Sequence, residues 1–191
     1  MTGSGEILAG EYVDLRPLLP ADAEITLKWR LGDRARLLNS GATNVEQQAA
    51  WIAGRPPSER NFLIVLKDGT PVGMLSLIAI DTKNRNAEPS RFLIGEEEAV
   101  RGKPAAVEAM ALLYRLAFDE LKLARLYGTV ASGNSKMLKW QKYLGMREEG
   151  RMRQHLWLDG QWHDAIMLGL LEEDYRSVSL PRMKSLMMMS A

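Results

Sequence analysis

Apolar and polar residues alternate along Glu11-Tyr12-Val13-Asp14-Leu15-Arg16 and the alternation stops at Pro17, which predicts a first strand ending at a turn. Asp22 stands where a cap would open a helix carrying Leu27, Trp29 and Arg30. Asn44, with Gln47 one helical turn on, has the form of a capping box for a helix through Ile52, closed by Gly54 and Pro56-Pro57. Asn61 to Leu66 and Pro71 to Ile80 are apolar and β-branched on either side of Asp68-Gly69, a hairpin signal. The polar stretch Asp81 to Ala87 reads as a loop tip.

A β–loop–α–β–α stretch follows, and the rest of the chain is arranged around it. Arg91 to Gly95 reads as a strand and Glu96 to Lys103 as a loop. The next helix opens at Pro104, whose missing N–H and fixed φ suit the first helical position. Ala106, Met110, Leu113, Ala117 and Leu121 recur along it at helical spacing, while Glu108, Arg115, Asp119 and Lys122 fall off that face. A strand from Ala124 to Ala131 leads to a helix that starts near Asn134 and stops at Gly145, a candidate left-handed residue. Met146 to Leu158 and Gln161 to Leu170 flank Asp159-Gly160 as a closing hairpin. Together these elements predict an α/β (α+β) domain on a mixed, mainly antiparallel sheet flanked by helices, spanning 1–175, with a tail at 176–191. Met187-Met188-Met189 in that tail is a candidate for pairing two copies into a homodimer.

Composition narrows the function. At 191 residues, 46% hydrophobic and 26% charged, the chain is long enough for one proper core. A net charge of +1 gives no footprint for nucleic acid. Zero cysteines exclude disulfides, thiolate metal sites and a cysteine nucleophile. Met1 to Gly10 lacks the pattern of a signal peptide, and no apolar run approaches the ~20 residues of a bilayer span, so a cytoplasmic protein off the membrane is expected. The two histidines, His155 and His163, fall on the closing hairpin without metal-ligand spacing, so no metal is expected. The small residues Ala105 and Ala106 leave the first helical N–H groups uncovered at the positive end of the dipole, and Arg101 and Lys103 precede them. That combination suits a phosphate or pyrophosphate, with ordinary surface charges the alternative for Arg101 and Lys103.

In element order and motif the chain resembles the GNAT superfamily of acetyl-CoA-dependent N-acetyltransferases, over roughly Glu11 to Tyr175. The family's phosphate loop, Gln/Arg-x-x-Gly-x-Gly/Ala, is matched by Arg101-Gly102-Lys103-Pro104-Ala105-Ala106, with Pro104 in place of the first glycine and one cradle N–H fewer. In the second family motif, Asn134, Gly145 and Met146 occupy the Asn, Gly and Phe positions, and Asn134 is implied to contact the CoA arm. Gln141 stands where many relatives place a tyrosine that protonates the leaving thiolate, and an amide has no proton to give.

The resemblance implies acetyl-CoA as cosubstrate, with the backbone of Leu93, Ile94 and Gly95 contacting the oxyanion and pantetheine. It implies Glu88 as general base; a solvated loop-end charge is the alternative. Trp29, Arg30 and Trp51 would cover a small-molecule amine, the tryptophans stacking on a ring and Arg30 pairing with an acidic group, with core packing the alternative for both tryptophans. His155 is a further candidate at the acceptor cleft, against a surface or packing role, whereas Trp140 and Trp157 are read as core. The acceptors it implies are the amino group of a nucleotide-linked sugar or a protein N-terminus of the ribosomal type. An antibiotic, a CoA-binding module without catalysis and a structural partner protein are the other readings.

Overall fold

The computed structural model describes residues 7–38 and 41–189. Its strands are β1 (Leu8–Ala9), β2 (Val13–Pro17), β3 (Arg60–Leu66), β4 (Pro71–Asp81), β5 (Asn86–Ile94), β6 (Arg125–Ala131), β7 (Arg147–Leu158) and β8 (Gln161–Leu171). The helices are α1 (Ala23–Arg30), α2 (Val45–Ala53), α3 (Ala105–Arg115), α4 (Ser135–Tyr143), the short α5 (Glu172–Asp174) and α6 (Leu180–Met189). The strands form one eight-stranded sheet in the order β1-β2-β3-β4-β5-β6-β8-β7. Neighbours are antiparallel except for β5 and β6, so the sheet is two antiparallel halves joined by one parallel seam. This is the mixed, mainly antiparallel α/β architecture that the pattern predicts.

Strand alternation divides the core between the two faces. In β3, Phe62, Ile64 and Leu66 join the larger core with α3 and α6, whereas Leu63 and Val65 join the smaller one under α1 and α2. Local chemistry sets several of the turns. Gly69 takes φ +88° in the β3–β4 hairpin, Asn44 Oδ1 accepts the Gln47 amide at 2.9 Å to cap α2, and Gly145 takes φ +100° after α4.

Other expectations are corrected. Asp22 does not cap α1 with its side chain; its carboxylate is bound by the Arg16 guanidinium at 2.7 and 2.8 Å and by the Leu19 amide at 2.8 Å. Pro104 is the residue before α3 rather than its first, and its carbonyl accepts the Glu108 amide at 2.9 Å. The polar stretch after Ile80 is shorter than a loop over Asp81 to Ala87, because Asp81 Oδ1 folds the turn by accepting the amides of Lys83 and Asn84, and β5 starts at Asn86. Trp157 is not core: it is exposed and meets Trp162 edge-on at 5.1 Å between ring centres. Trp140 is half-buried against the core.

Glu108 is not on an outer face. It is buried at 6% exposure, and its carboxylate accepts the amides of Glu11, Tyr12 and Val13 at 2.6, 2.7 and 2.7 Å. The chain turns there into β2, and those amides would otherwise lack an acceptor. Gly10 is required beside it, since a Cβ would lie 2.7 Å from Glu108 Cδ. Nor does packing break after Tyr175. That ring is buried and stacks on Phe118 at 4.6 Å, Met183 of α6 is fully buried, and Met187 packs on the core while Met188 and Met189 are exposed.

Candidate active site

The parallel seam holds for two residue pairs only, Asn86 with Arg125 and Ala87 with Leu126. Beyond them β5 and β6 diverge, and a cleft of about 510 Å³ occupies the gap. Glu88 is the first residue of β5 past the last pair. It lies between two bulges: Ala79 at φ +49° is an extra residue of β4, and Arg91 at φ +55° is an extra residue of β5. Glu88 is half-buried, lines the cleft, and its carboxylate takes no hydrogen bond from any described residue. Burial pushes its pKa above the ordinary carboxylate value, and nearby Arg91 opposes only part of that rise. Gly128 on β6 leaves it room, since a Cβ there would stand 3.4 Å from Glu88 Cγ.

Past Glu88, β5 presents backbone to the gap. Of the candidates Leu93, Ile94 and Gly95, the Gly95 amide is already donated to the Val72 carbonyl at 2.9 Å. Alternation along the strand then turns the Ile94 N–H away from β4, but the lining of the cleft on this strand runs from Glu88 to Phe92 and includes none of these three. Trp29 is not a cleft residue. It is 4% exposed, its indole lies over Gly95 where a Cβ would come within 2.2 Å of the ring, and its Nε1 donates to Glu96 Oε1 at 2.9 Å. The tryptophan fixes the end of β5 and does not face an acceptor.

Beside the gap, α3 begins at Ala105 without a side-chain cap on its first turn. The amides of Ala105, Ala106 and Val107 have no carbonyl one turn back, and they form the positive end of the helix dipole. Gly102, at φ +73° with open space around it, lets the loop pass close to a bound group. The neighbouring cations are engaged elsewhere: Arg101 is exposed and pairs with Glu98, and Lys103 Nζ bonds the Ala99 carbonyl at 3.0 Å. In this arrangement the groups left open at the helix start are backbone amides. On the far wall, Asn134 lines the cleft while its Oδ1 accepts the Met137 amide at 3.2 Å, which caps α4. Gln141 lines the cleft too; it is buried and accepts a hydrogen bond from the Tyr114 hydroxyl at 3.2 Å. Burial drives the Tyr114 hydroxyl's pKa upward, so it stays protonated as the donor.

At the other end Arg30, Trp51, Arg91 and His155 line the cleft. The bulge turns Arg91 onto Glu59 Oε2 at 2.9 Å and Asn61 Oδ1 at 3.0 Å. Trp51 carries guanidinium groups, Arg55 at 4.4 Å and Arg91 at 5.0 Å from its ring, and so holds arginines beside the cleft that it lines. His155 is presented by a wider bulge of β7, where Arg153, Gln154 and His155 together face Asp164. Asp164 locks that bulge, accepting the Gln154 amide at 2.8 Å and Arg151 Nε at 2.6 Å. Arg91 lines the cleft, held by Glu59, while Asp164 shapes the bulge that carries His155; the sequence pattern singled out none of these roles, because a bulge leaves no periodic trace. Among the described residues no cluster of three potential metal ligands occurs, and no helix is long and apolar enough to cross a membrane.

The sheet is thus opened between two central parallel strands, with a carboxylate at the apex of the gap and a helix start without a side-chain cap. A family model described as an acetyltransferase (GNAT) domain matches residues 13–147, and the chain belongs to that family of N-acetyltransferases. A Bacillus subtilis (strain 168) protein named for ribosomal N-acetyltransferase activity is 35% identical over 58% of this chain and 59% of its own length. The spermidine N(1)-acetyltransferase of Escherichia coli (strain K12) is 30% identical over 62% of this chain and 61% of its own. The chain thus spans about three fifths of each of these relatives. A solved GCN5-related N-acetyltransferase from Brucella melitensis superposes with a TM-score of 0.79 over 95% of this chain and 85% of that one; at 22% identity the likeness is one of fold.

Proposed function

We propose that the protein transfers an acetyl group from acetyl-CoA to a primary amine, with Glu88 as general base. The observation that carries this reading is Glu88 itself: a half-buried carboxylate with a raised pKa and no hydrogen-bond partner among the described residues, at the point where β5 and β6 part. The chain's donors fit the cosubstrate. The free amides opening α3 suit the pyrophosphate, Asn134 lines the gap where the pantetheine would lie, and the Ile94 N–H, turned away from β4, would serve a carbonyl oxygen. Acetyl-CoA supplies the activated acyl group. The acceptor nitrogen forms the C–N bond as the C–S bond breaks, Glu88 takes the nitrogen's proton directly or through one water, and the CoA thiolate takes its proton from solvent. Gln141 has none to give, and its amide instead holds the wall against Tyr114.

The test is release of CoA thiol from acetyl-CoA with an amine acceptor. Glu88→Gln is expected to lower kcat by about 10²–10⁴-fold, the usual worth of a positioned base, while acetyl-CoA binds as before. Transfer by the variant at the wild-type rate would show that Glu88 is not the base.

A further inference from the structure

Resting on that reading of the cleft, we infer that the Gln141 side-chain amide is a catalytic group for the leaving sulfur: it donates an N–H to the departing thiolate without giving up a proton. The observation is the way the amide is held. Gln141 is 7% exposed and lines the cleft. Its Oε1 accepts the Tyr114 hydroxyl at 3.2 Å, and its Nε2 lies 3.7 Å from Met137 Sδ. Tyr114 is fully buried and burial keeps its hydroxyl protonated, so that hydroxyl needs an acceptor. With the amide turned over, Oε1 would face a thioether that has no hydrogen to share. The nitrogen therefore points away from Tyr114. Its two hydrogens meet, among the described residues, only that thioether sulfur. A buried donor left with so weak an acceptor is free to take a better one.

Two features of the sheet place this nitrogen on the sulfur's side of the reaction. The first is the face. Ala87 packs in the larger core with α3, so alternation puts Glu88 on the opposite face, that of α1 and α2. Gln141 is on the α3 and α4 face with Tyr114, the face from which the free amides of α3 open. The second is the level. From the end of β6, α4 runs back beside that strand, since β7 starts with Arg147 opposite Gly169, which pairs with Tyr127. At about 1.5 Å per helical residue and 3.3 Å per strand residue, Asn134 to Gln141 and Ala131 back to Gly128 both cover roughly 10 Å. Gln141 thus comes level with Gly128, the neighbour of Glu88. An acyl carbon in the gap presents its attacking nitrogen to one group and its sulfur to the other. Glu88 takes the nitrogen's proton. As the C–S bond breaks, its electron pair stays on sulfur, and the Gln141 N–H holds that charge until solvent protonates the thiolate. A thiolate accepts more strongly than a thioester sulfur, so the bond strengthens toward the transition state.

The experiment measures the Kd of CoA and of desulfo-CoA, which lacks the thiol, on the wild-type protein from about pH 6 to 9.5, either side of the ~8.5 of a free thiol. A donor at the sulfur favours the thiolate. CoA is therefore expected to gain on desulfo-CoA by about tenfold or more as pH rises across that range, the worth of a hydrogen bond to a charged group. The phosphates and Glu88 are common to both ligands and cancel. Gln141→Met, similar in length and without an N–H, is expected to abolish that gain and to lower kcat by about 10- to 100-fold, with the KM for acetyl-CoA little changed. Losing only the Tyr114 bond would leave both amide orientations populated, a small effect beside losing the donor. Parallel pH dependence of the two ligands on the wild type would overturn this inference alone. So would wild-type kcat in Gln141→Met, or a gain that persists in it, which would give the thiolate another donor. Failure of both ligands to bind the wild-type protein would overturn the acetyl-transfer reading with it.

Discussion

Two glutamates of this molecule, Glu108 buried and Glu88 half-buried, sit in opposite circumstances. Glu108 faces the turn into β2, where its carboxylate accepts three amides at 2.6–2.7 Å. Glu88 faces the gap between β5 and β6, where no described residue hydrogen-bonds it and burial raises its pKa. A buried carboxylate that accepts several amides ties segments together and is held in its ionised, acceptor role. One left open costs the fold something and keeps both its lone pairs and its proton affinity for a ligand. The difference comes from the sheet: pairing is complete around β2 and β3, whereas the seam between β5 and β6 stops after two pairs.

The largest effect that would break this contrast is kinetic. The acid limb of kcat/KM should fall at a pKa above the ordinary carboxylate range and should vanish, with most of the rate, in Glu88→Gln. The same raised pKa acts on stability with a definite sign. Between the ordinary value and the raised one, the folded protein holds a proton at Glu88 that the unfolded chain has lost, so this group's contribution to stability falls as pH rises through that window. At neutral pH Glu88→Gln is therefore expected to melt no lower than the wild type, and a marked drop would mean that the carboxylate is structural.

Glu108→Gln should do the reverse. An amide cannot accept from three N–H groups as a carboxylate does, and the loss is expected to be about 2–4 kcal/mol, or roughly 5–15 °C in the melting midpoint, with transfer per folded molecule retained. An unchanged midpoint would show that the turn at Glu11 to Val13 is held by something else. Gly95→Ala tests the end of β5. The added Cβ would overlap the Trp29 ring, at an expected cost of about 1–3 kcal/mol, and displacement of the indole from Glu96 should be visible in tryptophan fluorescence. The smallest effect belongs to Tyr114→Phe, which leaves Gln141 Oε1 without its donor at about 1 kcal/mol. Transfer should change by no more than about threefold, since the buried hydroxyl holds Gln141 and is not expected to protonate the leaving group. A large kinetic loss would assign that role to Tyr114.

The sequence was readable where structure is local. Asn44 capping α2, the Asp68-Gly69 hairpin and the left-handed Gly145 each follow from one residue's chemistry within a turn of chain. Glu88, Arg30, Trp51, Asn134, Gln141 and His155 were named from the sequence, and the structure brings all six to one cleft. What was hidden depends on distance or register. Glu108 looked like a surface charge because its partners lie far back in the chain, at Glu11 to Val13. Trp29 looked like an acceptor contact until Gly95 was seen beneath it. Arg91 and Asp164 act through bulges, and an extra residue in a strand leaves no periodic trace. The basic pair Arg101 and Lys103 stood next to the helix start in sequence, but their side chains bond Glu98 and the Ala99 carbonyl.

The central claim is that the gap between β5 and β6, with the start of α3, holds acetyl-CoA. Its most direct test is the melting midpoint with acetyl-CoA, with CoA, and with ATP as a phosphate-bearing control. A ligand at a hundred times its dissociation constant adds about 2.7 kcal/mol, so for a domain of this size acetyl-CoA and CoA should each raise the midpoint by roughly 5–10 °C, and ATP should not. Equal shifts with all three would reduce the site to a general phosphate cradle, and no shift with acetyl-CoA would contradict the account.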